Sequence, residues 1–211
     1  MALTAPVGNN TSRQIAPEGA YPARCYQIVD LGTTMQTGQF PDKKRKVQFI
    51  FDLPTELHEF EKGEGLKPFY ARSIYNLSMN SKSVLRRDIE SWAGKKMADD
   101  FASTFDIFTL LGKACMLNIT HVTKGDAVYA NIIGISPLPK GLACPAAFNE
   151  PLVYNTEDHD EVSFLKLPEF IRDKIKISDE YIKRISQPFT PNVGALVESA
   201  WLGEDDNEAP F

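Results

Sequence analysis

The sequence predicts a mainly β, α+β fold. Three observations carry that prediction: apolar and polar residues alternate in three early segments, the spacing becomes helical near residue 81, and a two-strand hairpin pattern closes at Ser136. With 211 residues, 43% of them hydrophobic and 24% charged, the chain can bury one sizeable core and carry an appended segment.

Each element has its own local signal. Residues 1–18 are small and polar and read as a flexible leader. Tyr21–Leu31 alternates, with Tyr21, Ala23, Cys25, Gln27, Val29 and Leu31 on one face and Arg24, Tyr26, Ile28 and Asp30 on the other. Residues 32–42 are rich in Gly and Thr and contain Pro41, and they read as a long turn. Lys43–Leu53 runs from basic to aromatic, placing Val47, Phe49, Phe51 and Leu53 opposite Lys46, Gln48, Ile50 and Asp52, and Pro54 should end it. A charged loop over 55–67 leads to a third strand, Phe69–Leu77, with Tyr70, Arg72, Ile74 and Asn76 on one face. In Ser81–Trp92 the positions Val84, Leu85, Ile89 and Trp92 recur at helical spacing, with Ser81 or Ser83 as N-cap and Gly94 as the stop. Residues 99–111 form a second helical or turn-like stretch. Lys113–Val122 and Ala127–Ser136 flank a turn containing Gly125 and Asp126, a hairpin signal. Short amphipathic helices follow at Pro168–Lys176 and Ser178–Ile185.

Three strands, a helix and two further strands is the chain order of the OB-fold. The expected architecture is therefore a five-stranded OB-fold barrel with a helical insert between strands three and four and short C-terminal helices. The barrel would occupy residues 19–141, an extension 142–200, and an acidic, disordered tail 201–211.

Charge is divided unevenly along the chain. Residues 1–140 carry 17 Lys and Arg against 14 Asp and Glu, whereas residues 141–211 carry 6 against 14, within a net charge of −5. A basic-leaning body with an acidic end suits a binder of polyanions that carries an interaction tail. Cys25, Cys115 and Cys144 form no CxxC pair and His58, His121 and His159 are scattered, so neither a disulfide framework nor a metal site is expected. Glu157, Asp158, His159, Asp160 and Glu161 read as a solvated acidic loop. No nucleophile-elbow, zincin or P-loop motif occurs, and neither catalysis nor a cofactor is expected. No signal-peptide pattern or run of ~18 apolar residues is present, which gives the expectation of a soluble, cytoplasmic protein.

Residues 21–32 (YPARCYQIVDLG), 46–54 (KVQFIFDLP), 83–94 (SVLRRDIESWAG) and 135–141 (ISPLPKG) resemble a family of phage-encoded single-stranded DNA-binding proteins, a likeness spanning roughly residues 20–185. The end of the chain adds a second likeness. Glu204, Asp205, Asp206 and Glu208 precede Pro210 and the terminal Phe211, and this resembles the acidic tail of bacterial and phage single-stranded DNA-binding proteins. The resemblance implies an OB-type core that coats single strands during phage replication, recombination or repair, no enzymatic activity, and a tail that recruits replication or recombination proteins. In the cell this would be the bacterial host cytoplasm.

Sequence-tolerant binding of single strands needs cations for phosphates and ring faces for bases. The candidates are Lys43, Lys44, Arg45 and Lys46 at the mouth of the second strand, with Gln48 beside them; Arg24 and Tyr26 on the first strand; Tyr70 and Arg72 on the third; and Tyr129 in the hairpin. The expectation is that adjacent strands present these residues on one outer face. Phe49, Phe51, Phe69, Tyr75 and Trp92 are expected to fill the core. The leader and C-terminal segments could link protomers along a strand. A barrel that binds protein within a replisome, or an enzyme that processes nucleic acid, are the other classes the pattern admits.

Overall fold

The computed structural model describes residues 14–36 and 41–186. Most of the predicted leader, part of the first turn and the whole acidic tail lie outside the described residues.

The described chain is mainly antiparallel β-sheet with a few helices. The sheet contains β1 (Gly19–Gln36), β2 (Asp42–His58), β3 (Lys67–Asn76), β4 (Ala114–Lys124), β5 (Ala127–Ser136) and the short β6 (Leu152–Tyr154). The strand order is β3-β2-β1-β4-β5, with β6 added parallel to β1. β3 and β5 are not hydrogen-bonded to each other in this order, and the sheet is open.

β1 and β2 run further than the alternation predicted. Thr33 and Thr34 pair with Arg45 and Lys44, so the expected turn is mostly a continuing ladder. A register shift between Asp30 and Gly32 bends β1, and Gly32 takes φ 70° there. A Cβ at Gly32 would lie 2.5 Å from Ser178 Cβ, so the bend also makes room for the C-terminal helices. Pro54 does not end β2; it falls in a second register shift between Leu53 and Leu57, where no ladder donor is required.

Between β3 and β4 lie α1 (Val84–Ala93), α2 (Asp99–Ser103) and a 3-10 turn at Ile107–Leu110. The Ser83 hydroxyl caps α1 by accepting from Arg86 N, and Gly94 ends it at φ 67°. Leu85, Ile89 and Trp92 close the core formed by Ala23, Cys25, Ile28, Val47, Phe49, Phe51, Tyr75, Leu117 and Ile135. Trp92 is buried as expected, with Nε1 donating to Ala114 O at 2.8 Å.

The main departure is on the opposite face of the sheet. α3 (Glu161–Lys166), α4 (Glu169–Lys176) and α5 (Asp179–Ser186) follow β6. Tyr154, Phe164, Leu167, Ile171 and Ile175 pack onto Val29, Leu31 and Ile50, making a second core. Each such side chain contributes roughly 1.5–3 kcal/mol by burial. The face of β1 and β2 that the sequence reading opens to DNA is therefore interior. Likewise Ala16 is buried, and Glu18 Oε1 accepts from His121 N at 2.6 Å, so the last residues of the predicted leader belong to the body.

Candidate functional site

The predicted contact residues separate into three groups. The first group is structural. Gln48 is fully buried, with 0% of its surface exposed, and cannot meet a ligand. Arg24 donates from Nε to Pro145 O (2.8 Å), from Nη1 to Gly112 O (2.7 Å) and from Nη2 to Cys144 O (2.8 Å). It pairs across the ladder with Asp52, whose carboxylate accepts from Phe148 N, Asn149 N and Asn149 Nδ2. The two residues fasten the connector after β5 to the sheet. Tyr26 packs against the second core, and burial pushes its hydroxyl pKa above the ordinary tyrosine value. These three corrections share one cause, the C-terminal extension lying over their face.

The second group is the basic run, which the fold divides. Arg45 reaches Asp30 at 2.6 Å and Glu157 at 2.5 Å. Burial alone would raise the Asp30 pKa, but hydrogen bonds from Arg45, Thr156 and Gly32 N outweigh it and hold the carboxyl below its ordinary range. Lys43 pairs with Asp179 at 2.6 Å and Lys44 with Asp42 at 2.5 Å, both exposed and screened by solvent. Lys46 has no ion-pair partner among the described residues.

The third group converges. Tyr70, Arg72 and Tyr129 line one cleft of about 460 Å³ together with Phe60, Phe69 and Val128. The β2–β3 loop, β3 and the β4–β5 hairpin supply these residues. Tyr70 and Tyr129 are 41% and 44% exposed, enough surface to present a ring. Phe60 stands edge-on to Phe69 at 5.1 Å, and His58 stacks on Phe69 at 5.4 Å, which fixes the cleft floor.

A second groove of about 960 Å³ begins where the cleft stops. Lys44, Lys46, Lys82 and Arg87 line it with the exposed Ile74 and Ile133. β3 contributes residues 69–72 to the cleft and 73–76 to the groove; β5 contributes 127–130 and then 132–133. The two hollows are thus successive parts of one seam along the edge strands β3 and β5, with rings at one end and cations at the other.

Phe60, Lys82, Val128 and Ile133 were not singled out by the sequence reading. Phe60 had a legible signal, a lone aromatic in a charged loop. Lys82 had none, because its neighbours in the seam come from β2 and β5. The acidic cluster at 157–161 is not a simple solvated loop: Asp160 caps α3, and His159 is buried between Tyr154, Phe164 and Tyr181. Among the described residues no group of three His, Cys, Asp or Glu side chains is placed to hold a metal ion, and no helix is long and apolar enough to cross a membrane.

No protein-family model matches the chain, and no curated protein or solved structure matches it either.

Proposed function

We propose that this chain binds single-stranded DNA without sequence preference, in the seam between β3 and β5. One observation carries the reading: exposed rings at the β3 and β5 edges and the cations Arg72, Lys46 and Lys82 line successive parts of one seam. Rings accept any base because every base has a stacking face, and cations follow the phosphates. The sheet order supports an OB-type barrel whose last closure, between β3 and β5, is the binding seam. In this reading the chain has no catalytic activity and acts in the cytoplasm, coating single strands in replication, recombination or repair. Glu204, Asp205, Asp206, Glu208, Pro210 and Phe211 then dock partner proteins and compete with DNA for the seam, as a short polyanion would.

Fluorescence titration of the full chain with oligo-dT and with duplex of equal length, at two salt concentrations, tests this. Tighter binding of oligo-dT is expected, with a log–log salt slope of about −0.7 per phosphate neutralised. Equal affinity for both forms, or a flat salt response, would contradict it.

A second reading, a module that binds protein, draws on the exposed Val162, Leu165, Ile177 and Ile185 of the C-terminal helices. It predicts negligible binding of oligo-dT under the same conditions.

A further inference from the structure

The cations along the seam and on the neighbouring helix α4 differ in how they are balanced. Lys43, Lys44, Arg45, Arg87 and Lys176 each lie beside a carboxylate. Lys46, Arg72 and Lys174 have no ion-pair partner among the described residues. Arg72 leans instead toward the C-terminal extension, its guanidinium 5.4 Å from the ring centre of Phe170 on α4. Lys174 lies one helical turn beyond Phe170 and so shares its side of the helix. α4 is firmly placed, since Ile171 and Ile175 are fully buried in the second core. On the sheet, Arg72 stands opposite Ile50 and Lys46 opposite Asn76, so the two flank Ile74 on the face that α4 approaches.

We propose that Lys46, Arg72 and Lys174 form a seat for a phosphodiester of the bound strand, with the C-terminal extension supplying one wall of the nucleic-acid path. The inference rests on the single-strand reading and extends it to α4, which lines neither of the two hollows. Three like charges gathered without a counter-ion destabilise the free protein, and an arriving phosphate relieves that repulsion. Burial lowers the Lys174 pKa, and Arg72 and Lys46 lower it further, as expected if the charges feel one another. Phe170 gives the cluster its fixed geometry by holding the Arg72 guanidinium.

The test compares wild type, K174Q and K176Q as full chains, reading oligo-dT affinity, salt slope and Tm. K174Q is expected to bind about three- to tenfold more weakly at low salt, with a slope shallower by about 0.7 and a Tm no lower than wild type. K176Q removes a cation already paired to Asp173 and should leave affinity and slope unchanged. Wild-type affinity and slope in K174Q overturn the seat and leave the seam reading standing. A Tm loss that accompanies weaker binding assigns Lys174 to the fold and also overturns it. Wild type failing to bind oligo-dT overturns the seam reading and the seat together.

Discussion

Arg24 and Tyr129 show how similar sequence signals divide into scaffold and surface. Both lie on strands between small or apolar neighbours, yet Arg24 holds three main-chain carbonyls while Tyr129 stands 44% exposed in the cleft. R24A should therefore cost roughly 2 kcal/mol of stability, since bonds from a charged donor are lost, with oligo-dT affinity of the folded protein unchanged. Y129A should do the reverse, weakening oligo-dT binding about tenfold through lost stacking while its urea midpoint stays at the wild-type value. Paired denaturation and titration curves on the two variants separate the roles. Gln48 illustrates the limit of reading single residues. Its position beside Lys46 and Phe49 suggested a contact, but its amide atoms are buried and have no partner. It lies between Val29 on β1 and Ile74 on β3, and Val29 packs in the second core under the C-terminal helices, more than a hundred residues later in the chain, which no local pattern reports.

At the scale of elements, much was legible. The three early strands, the capped α1 and the β4–β5 hairpin follow from alternation, Ser83, Gly94 and Gly125. The covered face was less so, although a signal existed: Ile28 through Leu31 has no polar face apart from Asp30, and Ile50 interrupts the polar side of β2. Such runs belong to strands buried on both sides. Asp30 is the ionised residue within the β1 run, and it joins β1 to the segment after β6 through Thr156 and Arg45. Because its folded pKa is depressed, the stability it contributes is present above the unfolded value near 3.9 and is lost as pH falls through the folded value. Urea midpoints measured between neutral and strongly acidic pH should fall more steeply for wild type than for D30N. D30N itself should be about 3 kcal/mol less stable at neutral pH, because Arg45 then lacks its principal partner. Parallel acid profiles for the two proteins would contradict the role given to Asp30.

For the whole molecule, the division of charge between body and end was plain in the sequence, but the seam proposed to bind DNA was not. Clustering along the chain pointed to residues 43–46, of which three are paired to carboxylates in the fold. The groove includes that run, but the seam also gathers Arg72, Lys82 and Arg87 and the rings of Phe60, Tyr70 and Tyr129, which lie far apart in the chain. Deleting residues 204–211 should tighten oligo-dT binding at low salt by removing a competing polyanion, and should abolish partner recruitment. Unchanged affinity together with unchanged partner binding would remove the tail from the account. The most direct test of the seam is hydrogen–deuterium exchange of the full chain with and without saturating oligo-dT. Protection is expected along both edge strands, at residues 67–76 and 127–136, and at Lys82–Arg87. Protection that spares both edges and falls elsewhere on the molecule would contradict the account.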